Sequence, residues 1–235
     1  MSVSRESGRV FDEKQGYLTR APNMMTLPRG AIRLSKEEVL YLQHQKMRNW
    51  IPQSDVWSLR YGSGICSLGA AVSGVSLNTF FRKQFNLMVY GRMATYMPTI
   101  ILPMFFSAIM HEVLITGEIL TDRFDCLICS QARSSSVQTI TGFVQPLMFA
   151  PLTCAAAAKI HDTYNLPPWN KPGKFFNIVK DMMKNKGVYL MGLLGLQVVI
   201  GTTIASFQQK QTITLMSEDS KHYDYRRSLD EELNN

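Results

Sequence analysis

The sequence predicts an all-α membrane protein: four transmembrane helices preceded by an N-terminal arm that carries a soluble or amphipathic helix. The first reason is the placement of charge. Four stretches contain no Asp, Glu, Lys, Arg or His: Tyr61–Phe81 (21 residues), Met93–Met110 (18), Ser134–Ala158 (25) and Gly187–Gln209 (23). Roughly 20 helical residues cross a hydrocarbon core of about 30 Å. The second reason is the sharpness of the edges, at Arg60/Arg82, Arg92/Glu112, Arg133/Lys159 and Lys186/Lys210. A soluble helix of this length would show a charged stripe every turn or two. The third is segregation, because polar tails at 1–60 and 211–235 dilute the apolar spans and hold the mean hydropathy at −0.05.

Three regions follow: a polar arm at 1–60, a four-helix membrane domain at 61–210 and an acidic, flexible tail at 211–235. The first 60 residues lack the apolar run of a secretory signal. Insertion then relies on Tyr61–Phe81 or on import into an organelle. Arg5, Arg9, Arg20, Arg29 and Arg33 suit a presequence, but Glu6, Asp12 and Glu13 oppose it, and an uncleaved N-terminus is expected. Residues 1–34 have no apolar periodicity. Ser35-Lys-Glu-Glu38 then reads as a capping box, starting a helix at about Lys36–Asn49 that stops before Pro52. Val39, Leu40, Leu42, Met47 and Trp50 roughly share one side of it, which suits either an interfacial helix or a short soluble one.

The spans differ in character. In the first, Gly62, Cys66, Ala70 and Gly74 recur every four residues, a small-residue face on which another helix can approach closely. It serves either this chain's own bundle or a partner. The second span carries Pro98 and Pro103 and is expected to be kinked or broken. It either extends to Ile115 or is re-entrant. In the third, Gly142, Pro146, Ala150, Cys154 and Ala158 repeat the four-residue spacing. Gln145 in the third span and Gln197 in the fourth are amides at membrane depth. Both are expected to hydrogen-bond between helices as bundle glue.

The stretch Asn165–Pro172 reads as a stiff elbow. Lys171, Lys174, Lys180, Lys184 and Lys186 follow among Phe175, Phe176, Ile178 and Val179, so the segment 171–186 suits an anionic phospholipid surface. Loops 82–92 and 159–186 hold nine basic and two acidic residues, whereas 111–133 holds two basic and four acidic. The short loops therefore place 82–92 and 159–186 on the cytosolic or matrix side, although the N-terminal arm, with ten basic residues, pulls the other way. The net charge of +7 is explained by topology rather than by nucleic acid binding.

Chemistry is scarce. An ion pump or membrane enzyme needs ionisable groups inside the bundle, and none lies in the four uncharged stretches. His111-Glu112 lacks the second His of a zinc-protease motif, and no phosphate-binding Gly-rich loop or nucleophile elbow occurs. His44, His161 and His222 sit alone in polar segments. Cys126 and Cys129 have the spacing of a zinc half-site, a redox pair or a local disulfide. Zinc lacks two further ligands, because Cys66 and Cys154 lie inside spans. A disulfide and a pair of reduced thiols remain open. No catalytic residue, cofactor or metal is expected.

The order of these features, from about Gly62 to Pro168, resembles the transmembrane protein 126 family of the mitochondrial inner membrane. The matching points are Gly69-Ala-Ala-Val-Ser-Gly-Val-Ser-Leu-Asn78 with Phe80-Phe-Arg-Lys83, then Asp125-Cys126-x-x-Cys129 with Ala132-Arg133. Gln145-Pro-Leu-x-x-Ala-Pro151 leading to Ala158-Lys159 completes them. The first 60 residues and the acidic tail do not contribute. The resemblance implies a multi-pass, non-enzymatic protein of the mitochondrial inner membrane. Its implied partners are membrane-arm subunits of respiratory complex I and other assembly factors, and it implies no catalytic residues. A stable accessory subunit of that complex is the neighbouring reading. A small channel or carrier lined by Gln145, Gln197 and the second span is the competitor from another class, and a redox component using Cys126 and Cys129 is a third.

Overall fold

The computed structural model describes residues 34–121, 126–167 and 172–233, with side chains through residue 217. The arm at 1–33, Asp125, the elbow residues 168–171 and the acidic side chains after 217 lie outside the described residues. The described residues form six helices and no strand. They are α1 (Lys36–Asn49), α2 (Trp57–Gln84), α3 (Arg92–Leu120), α4 (Leu127–Ile160), α5 (Pro172–Met183) and α6 (Gly187–Leu233). Helices α2, α3, α4 and the first part of α6 are each long and apolar enough to cross a bilayer.

The second crossing is longer than its uncharged stretch and is not re-entrant. α3 runs for 29 residues, through Pro98 and Pro103 and past His111 and Glu112. Proline removes one backbone donor, so Pro103 frees the carbonyl of Thr99 four residues earlier. Gly74 of α2 lies against that carbonyl so closely that a Cβ would overlap it. Each of the two mid-chain crossings also contains one wide π turn, at Glu112–Thr116 in α3 and Ile140–Val144 in α4. The second ends two residues before Pro146, whose ring would otherwise press on the turn before it.

At the other end of the chain, α6 does not stop near Gln209 but continues to Leu233 where a flexible tail was expected. Residues 211–233 contain no Gly or Pro to end it. Residues 36–212 form one compact unit, the membrane bundle discussed below.

Around the middle of the bundle many large side chains point outward and small ones inward. Phe105, Val199 and Met191 are exposed, whereas Cys66, Ala70, Ala150, Cys154, Ala155 and Ala158 are fully buried. Lipid gives helices no hydrophobic drive to associate, so close backbone approach and dispersion supply it. Bulkier packing gathers at the two ends: Ile115 and Ile119 meet Ala205 at one, and Leu77, Phe81, Phe85 and Leu87 meet Ala157 and Val179 at the other. α5 caps this end, its Phe175, Val179, Met182 and Met183 packed on the bundle while Lys174, Lys180, Lys184 and Lys186 stay exposed. Gly91, at φ 57°, makes the left-handed turn into α3, a conformation that other residues adopt only with strain.

α1 lies at the opposite end. Its Lys36 pairs with Glu118 of α3, and His44 lies 3.5 Å from Glu112. Its buried side is Gln43, Met47 and Trp50; Leu42 is exposed, and Val39 and Leu40 are half-buried. The side expected from the sequence is therefore rotated, because Gln43 replaces Leu42 in it.

Candidate functional site

The interior of the bundle is a polar seam that follows one face of α2. Ser58, Gly62, Cys66, Gly69, Ser73, Asn78 and Arg82 are all buried on that helix. From Ser58 to Arg82 the helix rises about 36 Å, the full thickness of a hydrocarbon core. Polar groups at that depth have no water to turn to, so each must find a protein partner.

At the middle, Gln138 of α4 and Gln197 of α6 meet. Gln138 Nε2 donates to Gln197 Oε1 at 2.8 Å and to the Cys66 carbonyl at 2.8 Å. Gln138 Oε1 accepts from Ser107 Oγ at 3.0 Å. Gln197 Nε2 donates to the Gly69 carbonyl at 3.0 Å and to Ser73 Oγ at 2.6 Å. These two amides thus tie all four crossings together. Glycine makes the meeting sterically feasible: a side chain on Gly142 would overlap Gln197, and one on Gly69 would come within 2.7 Å of Ile200.

One turn towards the α1 end, His111 is fully buried between two helices. Its Nε2 lies 3.2 Å from Gln208 Oε1 and its Nδ1 lies 3.5 Å from Cys66 Sγ. Gln208 spends its own Nε2 on the Ser58 carbonyl and on Thr116 Oγ1, both at 3.1 Å. Its oxygen therefore accepts, which assigns the imidazole proton to Nε2 and leaves Nδ1 to accept the thiol. Further out, Gln211 Oε1 accepts from Ser58 N at 3.0 Å, Ser58 Oγ at 2.7 Å and Leu59 N at 3.3 Å. Those amides belong to the first turn of α2, which has no intrahelical acceptor for them.

The other end is held by Arg82. Its Nη1 donates to Thr95 Oγ1 at 2.7 Å, and its Nη2 donates to the Met88 and Tyr90 carbonyls, each at 2.9 Å. One guanidinium fork thereby closes the turn between α2 and α3. Beside it, Asn78 Nδ2 donates to Thr95 Oγ1 at 3.4 Å, and Cys154 Sγ lies 3.3 Å from Asn78 Oδ1.

The small-residue positions of the first span lie inside this bundle. Gly62 faces Gln208 and Ile204, Cys66 faces His111, Ala70 is fully buried, and Gly74 backs onto α3. Gln197 sits at the centre of the seam. Gln145 does not join it: it is half-buried and has no hydrogen bond to any described residue. The expectation that no ionisable group lies within the crossings is corrected by His111 and by the buried end-residue Arg82. Sequence reading also missed Gln208 and Gln211, which lie at and beyond the charged edge Lys210. Nothing in the sequence pairs Gln138 with Gln197, although both lie in uncharged stretches.

Cys126 and Cys129 are exposed at the start of α4, with Cα atoms 5.3 Å apart and their sulfurs joined. The Cys126 sulfur also accepts from the Cys129 N–H at 3.2 Å. Cys66 and Cys154 are buried. Maleimide labelling is therefore expected to add nothing to the folded, unreduced chain, two labels after reduction and four after reduction and unfolding. Two labels without reduction would show the pair to be free thiols. Among the described residues no cluster of three or more His, Cys, Asp or Glu is placed to hold a metal.

The comparisons with known proteins agree with this architecture. The family model described as transmembrane protein 126 matches residues 38–222. Transmembrane protein 126 of Drosophila melanogaster is 31% identical over 192 residues, covering 81% of this chain and 86% of that protein. Transmembrane protein 126A of Mus musculus is 26% identical over 180 residues, covering 76% and 89%. Transmembrane protein 126A of Homo sapiens is 25% identical over 126 residues, covering 53% and 64%. No solved structure matches. The family match takes in the whole seam, from Ser58 to Gln211, and on that ground the chain belongs to the transmembrane protein 126 family.

Proposed function

We propose that this chain is a non-enzymatic protein of the mitochondrial inner membrane that assembles or stabilises the membrane arm of respiratory complex I through helix–helix contacts. The observation that carries this reading is how the seam is spent. Gln138, Gln197 and Gln208 each bond to two or more groups of the same bundle, and Gln211 to the first turn of α2. Glycine contacts at Gly62, Gly69 and Gly201 bring the helices together around them, leaving the polar groups joined to each other rather than lining a water path. This arrangement favours a rigid scaffold over a carrier. The outward faces are then the working surface, and the resemblance noted in the sequence names their partners as membrane-arm subunits and other assembly factors.

The exposed lysines of α5 fit the same reading. Lys174 and Lys180 face outward from a helix whose apolar side is packed on the bundle, and Lys184 and Lys186, just after it, are exposed too. An anionic phospholipid surface against them would hold this end at the matrix leaflet, the side on which the basic loops 82–92 and 159–186 belong under the positive-inside rule. Loss of the chain is expected to lower complex I activity specifically. In native-gel profiling of mitochondria the chain should comigrate with membrane-arm intermediates. An equal fall in all respiratory complexes, or migration of the chain alone, would overturn the reading.

A further inference from the structure

Gln138 and Gln145 are seven residues apart, which on an uninterrupted α-helix is two turns and nearly the same face. The π turn at Ile140–Val144 lies between them and takes up one extra residue. That displaces everything after it by roughly a quarter turn. Gln138 consequently points into the seam, and Gln145 points away from it. The residues facing the bundle beyond the π turn are Pro146, Ala150, Cys154, Ala157 and Ala158. The opposite stripe is Gln145, Met148 and Leu152, with Met148 at 62% and Leu152 at 42% exposure.

Gln145 lies 18 residues from the start of α4 and 15 from its end, at mid-depth in the crossing. Hydroxyls on the outer faces avoid the cost of this environment by bonding back to their own helix. Thr79 bonds to the Val75 carbonyl, Thr153 to Phe149, Thr202 to Val198 and Ser206 to Thr202. A glutamine amide, with two donors and an acceptor on a longer stem, has no such local solution here. Lipid tails offer it nothing. We infer that the Gln145–Met148–Leu152 stripe is the docking face for a transmembrane helix of another protein, one that brings an amide or hydroxyl to mid-bilayer depth beside small residues of its own.

A second copy fits less well. Two copies inserted in one orientation would meet as parallel helices about an axis normal to the membrane. Met148 would then face Met148 and Leu152 face Leu152, with no glycine or alanine within a turn of Gln145 on that stripe to allow close approach. The small residues must come from the other side. The inference deepens the scaffold reading by naming the face used, and rests on it only for the occupant being another chain.

The test uses the full chain in mitochondria, with a photo-crosslinking residue replacing Met148 and, as a control, Leu68 on the outer face of α2. The expected adduct at 148 joins a peptide inside a transmembrane segment of a different protein, with Gln, Asn, Ser or Thr within one turn of the joined residue. Adding Gln145→Met should reduce its yield about three- to thirtyfold, the effect of losing one interhelical amide bond in a membrane. The purified chain's own unfolding midpoint should not fall with Gln145→Met. Adducts to lipid alone, adducts to a second copy, a yield insensitive to Gln145→Met, or a lowered midpoint would each overturn the inference. An adduct to a protein that never migrates with complex I intermediates keeps the face and removes the complex I reading. Comigration that persists without the adduct does the reverse.

Discussion

Gly74→Ala is expected to destabilise the bundle by about 3 kcal/mol, at the upper end of what overpacking costs. The new Cβ would overlap the Thr99 carbonyl of α3, a backbone atom that no rotamer change can move away. That carbonyl is free of its usual donor because Pro103 has no N–H, and the Gly74 face is built around it. Gly195 provides the control. Nothing lies within 4 Å of its would-be Cβ, so Gly195→Ala on the outer side of α6 should be neutral or stabilising by up to about 1 kcal/mol. Unfolding of the purified chain by increasing SDS in mixed micelles reads both. A midpoint for Gly74→Ala equal to wild type would mean that α2 and α3 do not meet there. The expectation is stricter than loss of a partner: fully buried Ala70 and buried Gly74 belong to the chain's own fold, and any partner binding lost on their substitution follows from that.

Charge placement made the four crossings legible because lipid excludes charge along the whole length of a span, and no alignment is needed to see where it stops. It misjudged their ends for the same reason. The uncharged stretch ends at Met110 because the His111 side chain can be charged, yet an imidazole that bonds to Gln208 and Cys66 is at home inside the bundle. Lys210 marks the charged edge of the fourth crossing, yet Gln211 one residue later still caps the first turn of α2. The small-residue spacing of α2 was legible, but which helix filled it was not, because a four-residue repeat is the same whether the neighbour is internal or external. Gln145 and Gln197 looked alike in the sequence. Only the π turn at Ile140–Val144 separates them, and a π turn has no local composition that marks it, although Pro146 two residues after it is a cause.

The central amides can be separated from one another by a double-mutant cycle. Methionine keeps the length and the unbranched stem of glutamine but cannot hydrogen-bond, so it leaves the glycine contacts intact. Gln197→Met removes the acceptor for Gln138 and the donor to the Gly69 carbonyl and Ser73 Oγ. Gln138→Met removes the donor to Cys66 and Gln197 and strands Ser107 Oγ. Each single change is expected to cost about 1–3 kcal/mol, the cost of leaving buried partners unmade. The two should not add. Once either amide is gone the bond between them is already lost, so the double variant should be more stable than the sum by about 0.6–1.7 kcal/mol. Gln145→Met, measured alongside, shares no partner with either and should add to both within about 0.5 kcal/mol. Additivity between Gln138 and Gln197 would mean that they do not bond, and the seam would divide into two separate polar patches. Coupling of either with Gln145 would return that residue to the bundle and leave the outer stripe of α4 purely apolar.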